Sequence, residues 1–204
     1  MAAAKMAKLR GGALLEPGTF TPNTLLSQAA AEFGLPGEIS RPERYFLMSG
    51  IVAEQPELGA GSDFVGLILA MERVIGALRS AGIDSSGKLL SKLESTGRGH
   101  RLLAEILDEY SARLSETGAL DSAARHNLAV SEIARLGLPP SLANYSTATF
   151  LQFDSLDPVQ ARLAAALARH IEVVFHLPAR EDFPAGERFI AAANAAAKQL
   201  ESAA

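Results

Sequence analysis

Apolar residues recur along most of this chain at steps of three and four. Between about Ser62 and Ala81 they are Phe64, Leu67, Ile68, Met71, Val74, Ile75 and Leu78, which fall on one face of an α-helix. Gly82 is placed to stop that helix, and Asp84 and Ser85 to cap a short one over "SSGKLLSKLEST". The stretch "GHRLLAEILDEYSARLSETG" is amphipathic, with Leu103, Ile106, Leu107, Tyr110 and Leu114 on its stripe and Gly118 as its end. Thr21 is an N-cap candidate with Pro22 at the first helical position, opening a helix to about Phe33. Ser40 plays the same part before Pro42 and the apolar Tyr45, Phe46, Met48 and Ile51, and Asp121 caps "DSAARHNLAVSEIARLG".

The period changes after about residue 146. "TATFLQF" is short, β-branched and aromatic, as a buried strand would be. "DPVQARLAAALARH" is a helix with Asp157 as cap and Pro158 first, and "IEVVFHLP" is a second buried-type strand. A weak third strand lies near residues 12–18, and "GERFIAAANAAAKQLESAA" reads as a closing helix. Two strands around a crossover helix predict parallel neighbours near Thr149 and Val173, joined right-handedly. The expected fold is mainly α with a small parallel α/β remnant.

Composition narrows the possibilities. The 204 residues suffice for one sizeable domain or two small ones. There is no cysteine, which excludes disulfides and thiolate metal sites. A net charge of −4 gives no global attraction to nucleic acid, so any such binding must be local. Apolar runs are broken by charge well before the ~20 residues of a membrane span. The N-terminus "MAAAKMAKLRGG" lacks a signal peptide's apolar core. A soluble cytoplasmic protein without membrane contact is expected.

Candidate chemistry is sparse. From Gly82, "GIDSSGK" has the spacing of a P-loop up to its last position, where Leu89 replaces the Ser or Thr that binds magnesium. The preceding run is helical, whereas a P-loop follows a buried strand. None of His100, His126, His170 and His176 has a partner at metal-ligand spacing, and no nucleophile–base arrangement emerges. Lys88, Lys92, Arg98 and Arg101 read as a solvated face rather than a binding edge. No catalytic residue, metal site or cofactor is expected.

The ordered set of segments carries more. "GTFTPNTLLSQAAAEFG" followed by "ISRPERYFLMSGIV" resembles the stretch of UvrD/Rep-type DNA helicases that begins with their Gly-Thr-Phe-His motif. "ILDEYSARLSETGALDSAARHNLAVSEIARL" is similar to a helix pair of that family, with Tyr110, Leu114, Gly118, Leu120 and Asp121 in matching places. "ATFLQFDSLDPVQARLAAALARH" falls where the family has its second motif, a strand ending in Asp-Glu, and registering on Gln160 puts Leu151 and Gln152 at that acidic pair. Neither side chain organises magnesium or activates water. With "VVFHLP" next, the pattern looks most like the degenerate helicase-like part of AddB, the second subunit of AddAB helicase-nucleases.

That resemblance implies a helical subdomain, 22–145, inserted in a partial RecA-like layer formed by 1–21 and 146–204. It implies an inactive ATPase that scaffolds DNA in double-strand-break repair and recombination, and that docks on a partner helicase-nuclease subunit. The family's nuclease domain and its iron–sulfur cysteines lie outside the helicase-like part, so the resemblance implies a fragment or a truncated relative of the exonuclease subunit. Thr19 and Thr21, in the turn "GTFT", would face weakly bound DNA. The alternative is a stand-alone helical protein–protein interaction domain without a DNA role.

Overall fold

The computed structural model describes residues 19–58, 64–93, 97–151 and 156–176. The expected strand near 12–18, the closing helix and Gln152 lie outside these residues. Seven α-helices and two strands are described: α1 (Pro22–Glu32), α2 (Arg41–Ala53), α3 (Phe64–Ser80), α4 (Ser86–Leu90), α5 (Arg98–Glu116), α6 (Ser122–Leu136), β1 (Thr147–Leu151), α7 (Pro158–Leu167) and β2 (Glu172–His176). The fold is mainly helical with a small parallel sheet, as the periodicity predicts.

Local chemistry sets most of the helix starts. Thr21 Oγ1 accepts from the Thr24 amide at 3.1 Å, satisfying one of the amides that a helix start leaves without a partner. Ser40 and Glu43 form a reciprocal capping box ahead of α2, and Asp157 and Gln160 form another ahead of α7. Asp121 accepts from the Ala124 amide at 2.7 Å to start α6. The expected Asp84/Ser85 cap of α4 is corrected. Ser85 stands at the cap position but makes no side-chain cap bond, and Asp84 pairs instead with Lys88 at 2.8 Å. The Ser86 amide donates to Asp108 Oδ1 of α5 at 2.7 Å, so the cap comes from a neighbouring helix.

β1 and β2 are parallel, in register from Thr147 opposite Glu172 to Leu151 opposite His176. Phe150 and Phe175, opposite each other, hold their rings 4.9 Å apart.

Buried apolar side chains form two separate cores. One gathers Leu26, Ala29, Val130, Ile133, Phe150, Leu163 and Leu167, from α1, α6, β1 and α7. The other gathers Met48, Ile51, Ile68, Ile75, Leu89, Ile106, Leu107, Tyr110 and Leu114, from α2 to α5. The chain leaves the first core after α1 and returns before α6. The two crossings run side by side: the Ile39 amide donates to the Leu120 carbonyl at 2.8 Å, and the Leu120 amide to the Gly37 carbonyl at 3.0 Å. They form one parallel bridge, Glu38 to Leu120.

Candidate functional site: a buried polar junction

Where α3 meets α6, the boundary between the cores is polar. Arg79 lies four residues after the buried Ile75 and therefore on the same helical face. Its side chain is carried inward, leaving the residue 8% exposed, and Asp121 is 4% exposed. Burial of either charge alone would be costly, so each needs its partner. Arg79 Nε donates to Asp121 Oδ2, and Nη1 donates to Ser111 Oγ at 2.8 Å. The guanidinium also lies over the Tyr110 ring, 5.5 Å from its centre. Ser111 in turn donates to the Asp84 carbonyl at 3.0 Å. Burial, with the Asp121 charge adding to it, raises the Tyr110 phenol well above its ordinary value and keeps it neutral.

The same junction satisfies the end of α3. A helix leaves its last carbonyls without intrahelical donors. Here Asn127 Nδ2 of α6 donates to the Arg79 carbonyl at 2.9 Å, and Arg162 Nη2 of α7 donates to the Ser80 carbonyl at 2.9 Å. Arg162 also donates to Asn127 Oδ1. A cation at a helix C-terminus is further favoured by the helix dipole. Gly82, at φ +79°, turns the chain out of α3, and a Cβ there would lie 3.1 Å from Arg162 Nη1. The contacts are reciprocal: residues of α6 and α7 finish α3, and the residue that starts α6 is bound to α3.

Beside the junction is a cavity of about 120 Å³ lined in part by Arg44, Glu72, Tyr110, Asp121 and Ser122. Small-molecule sites run to roughly 300–1,000 Å³, so this space is too small for a nucleotide. Arg44 and Glu72 close one side, with 3.3 Å between Nε and Oε1. Among the described residues, no buried side-chain nitrogen or oxygen lacks a partner. The junction is a satisfied network, suited to holding elements together rather than to attacking a substrate.

The residues singled out from sequence lie elsewhere. Thr19 and Thr21 are exposed at the start of α1, and Thr21 Oγ1 also lies 2.7 Å from Thr24 Oγ1. Leu151 ends β1 and is 52% exposed. The P-loop-like stretch joins α3 to α4, so a helix precedes it, and its Lys88 is paired with Asp84. His126 Nε2 is 3.2 Å from Ser27 Oγ, and His170 Nε2 donates to the Ile133 carbonyl at 2.8 Å. No group of histidine and carboxylate side chains arranged to hold a metal occurs among the described residues. No helix among them is long and apolar enough to cross a membrane.

Sequence reasoning identified Asp121 as a cap and missed Arg79, Ser111, Asn127 and Arg162. A charged residue in register with an apolar stripe was the available signal for Arg79. Asn127 and Arg162 gave none, because their partners, the carbonyls at the end of α3 and each other's side chains, lie far away in the chain. No family model, curated protein or solved structure matches this chain.

Proposed function

We propose that this chain is a catalytically inactive helicase-like domain of a DNA double-strand-break repair helicase-nuclease, scaffolding DNA and a partner subunit. The observation that supports this reading most is the order of elements. A helical block is followed by a parallel strand–helix–strand unit, β1, α7 and β2, as the resemblance to UvrD/Rep-type motors requires. At the end of β1, where those motors carry the acidic residue that organises magnesium, this chain has Leu151. An alkyl side chain binds no magnesium and activates no water.

A DNA contact fits the turn before α1. Thr19 and Thr21 are exposed there, and the amides of a helix start favour a phosphate. Thr21 would position that helix start through its capping bond, with DNA meeting the turn from outside. Its role in capping and its role in DNA contact are separable by experiment. The Thr19→Ala/Thr21→Ala variant, with its melting checked in parallel, should bind a labelled single-stranded oligonucleotide more weakly than the parent. Equal binding by a folded variant removes the turn from the DNA site. For the inactive-ATPase part of the reading, calorimetry with ATP and magnesium should show no binding. A dissociation constant in the micromolar range would refute it.

A further inference from the structure

We propose that the described residues between 39 and 116 form an inserted helical body that swings as a unit about the paired crossings at Glu38 and Leu120, held shut by a clasp of Arg79, Asp121, Asn127 and Arg162. The proposal does not rest on the helicase-like reading. Each body has its own apolar core, and neither core cluster includes a residue of the other. Both covalent crossings are at one place, where they are hydrogen-bonded to each other. Gly34 and Gly118, each at φ +68°, turn the chain into these crossings. Two adjacent, paired segments are what a hinge needs, because rotation about them breaks no apolar core.

The contacts away from the hinge differ in kind from those inside each body. Of the ion pairs between described residues, Arg79–Asp121 is the one that spans the two bodies; the others, such as Arg113–Glu54 and Arg135–Glu132, lie within one. Asn127 and Arg162 add their bonds to the Arg79 and Ser80 carbonyls across the same face. When such a face opens, water replaces each polar partner, and the buried charges recover their hydration. Apolar burial has no such replacement. Opening the clasp is therefore less costly than unfolding either core, which defines a subglobal opening. The cavity lies on this face, between Met48 and Ile75 of the inserted body and Asp121 and Ala123 of the other, so packing across it is incomplete.

Native-state hydrogen exchange on the parent chain tests the proposal without any substitution. The Ala124 amide, which donates to Asp121 in the clasp, should exchange through an opening that leaves protected the Ile39 and Leu120 amides paired at the hinge and those of Leu107 and Leu163 in the two cores. Exchange of all five through one global opening would overturn it. The Asp121→Asn/Arg162→Met variant should then speed the Ala124 amide about tenfold or more, the scale of a lost charged hydrogen bond, with both cores still protected. Joint loss of protection in both cores would count against a hinge. The chain has no cysteine, so spin labels at Glu105→Cys in α5 and Ala168→Cys after α7 report the distance between the bodies directly. The clasp variant should show a second, longer distance population, and an unchanged distribution would overturn the proposal.

Discussion

At Gly82 two requirements fall on one residue: a backbone conformation that side chains rarely adopt, and a close approach by Arg162. Gly118 has the first requirement alone, since nothing lies within 4 Å of a Cβ built there. Gly118→Ala should therefore lose only the conformational part, on the order of 1 kcal/mol. Gly82→Ala should lose more, about 2–3 kcal/mol, because Arg162 must also shift. Urea denaturation of the two variants measures the difference, and equal losses would mean that the Arg162 contact gives way freely. His126 supplies a pH test at the same scale. Burial is the main cause that holds its imidazole below the ordinary 6.5; Glu38 opposes the shift, Arg125 adds to it and Asp157 opposes it. A depressed folded-state pKa means that the unfolded chain takes up the proton first. The stability is then present above about pH 6.5 and is lost as pH falls through the folded-state value. His126→Gln should flatten the decline of the urea midpoint between pH 7 and 5, and an unchanged slope would contradict this. The sequence marked both glycines as stops, but the neighbour that distinguishes them comes from a helix some eighty residues away.

Helix starts were the most legible elements, because a cap is written within four residues of chain. Thr21, Ser40, Asp121 and Asp157 all cap as their sequence positions suggest. The start of α4 was not legible, since its donor meets Asp108 from another helix. Caps that look alike in sequence also differ in consequence. Asp157 is exposed, and Asp157→Ala should cost about 1 kcal/mol, the usual loss for a cap. Asp121 is buried against Arg79, so Asp121→Ala strands a buried guanidinium and should cost about 3–5 kcal/mol. Thermal or urea unfolding of both variants checks the ranking, and equal losses would show that Arg79 finds another partner or reaches water. The strand–helix–strand unit was legible because the change of period at residue 146 is abrupt. Its strands pair in parallel, with Ala148 opposite Val173.

For the whole molecule, periodicity shows which face of a helix is buried but not what it is buried against. The apolar stripes of α3 and α6 look alike in sequence, yet they serve different cores. That division depends on long-range packing and on a polar junction whose members are scattered from Arg79 to Arg162. The proposed function belongs to this scale too, since it depends on the order of elements and on the surface they present together. A scaffold for DNA with a net charge of −4 should bind weakly, at roughly 10⁻⁴ to 10⁻⁶ M, and mainly through phosphates. The most direct test is fluorescence anisotropy of a labelled single-stranded oligonucleotide titrated with the chain at low salt and again at about 200 mM salt. Saturable binding in that range is expected at low salt, falling steeply as salt rises. No binding at low salt would contradict it and would favour a helical interaction domain without a DNA role.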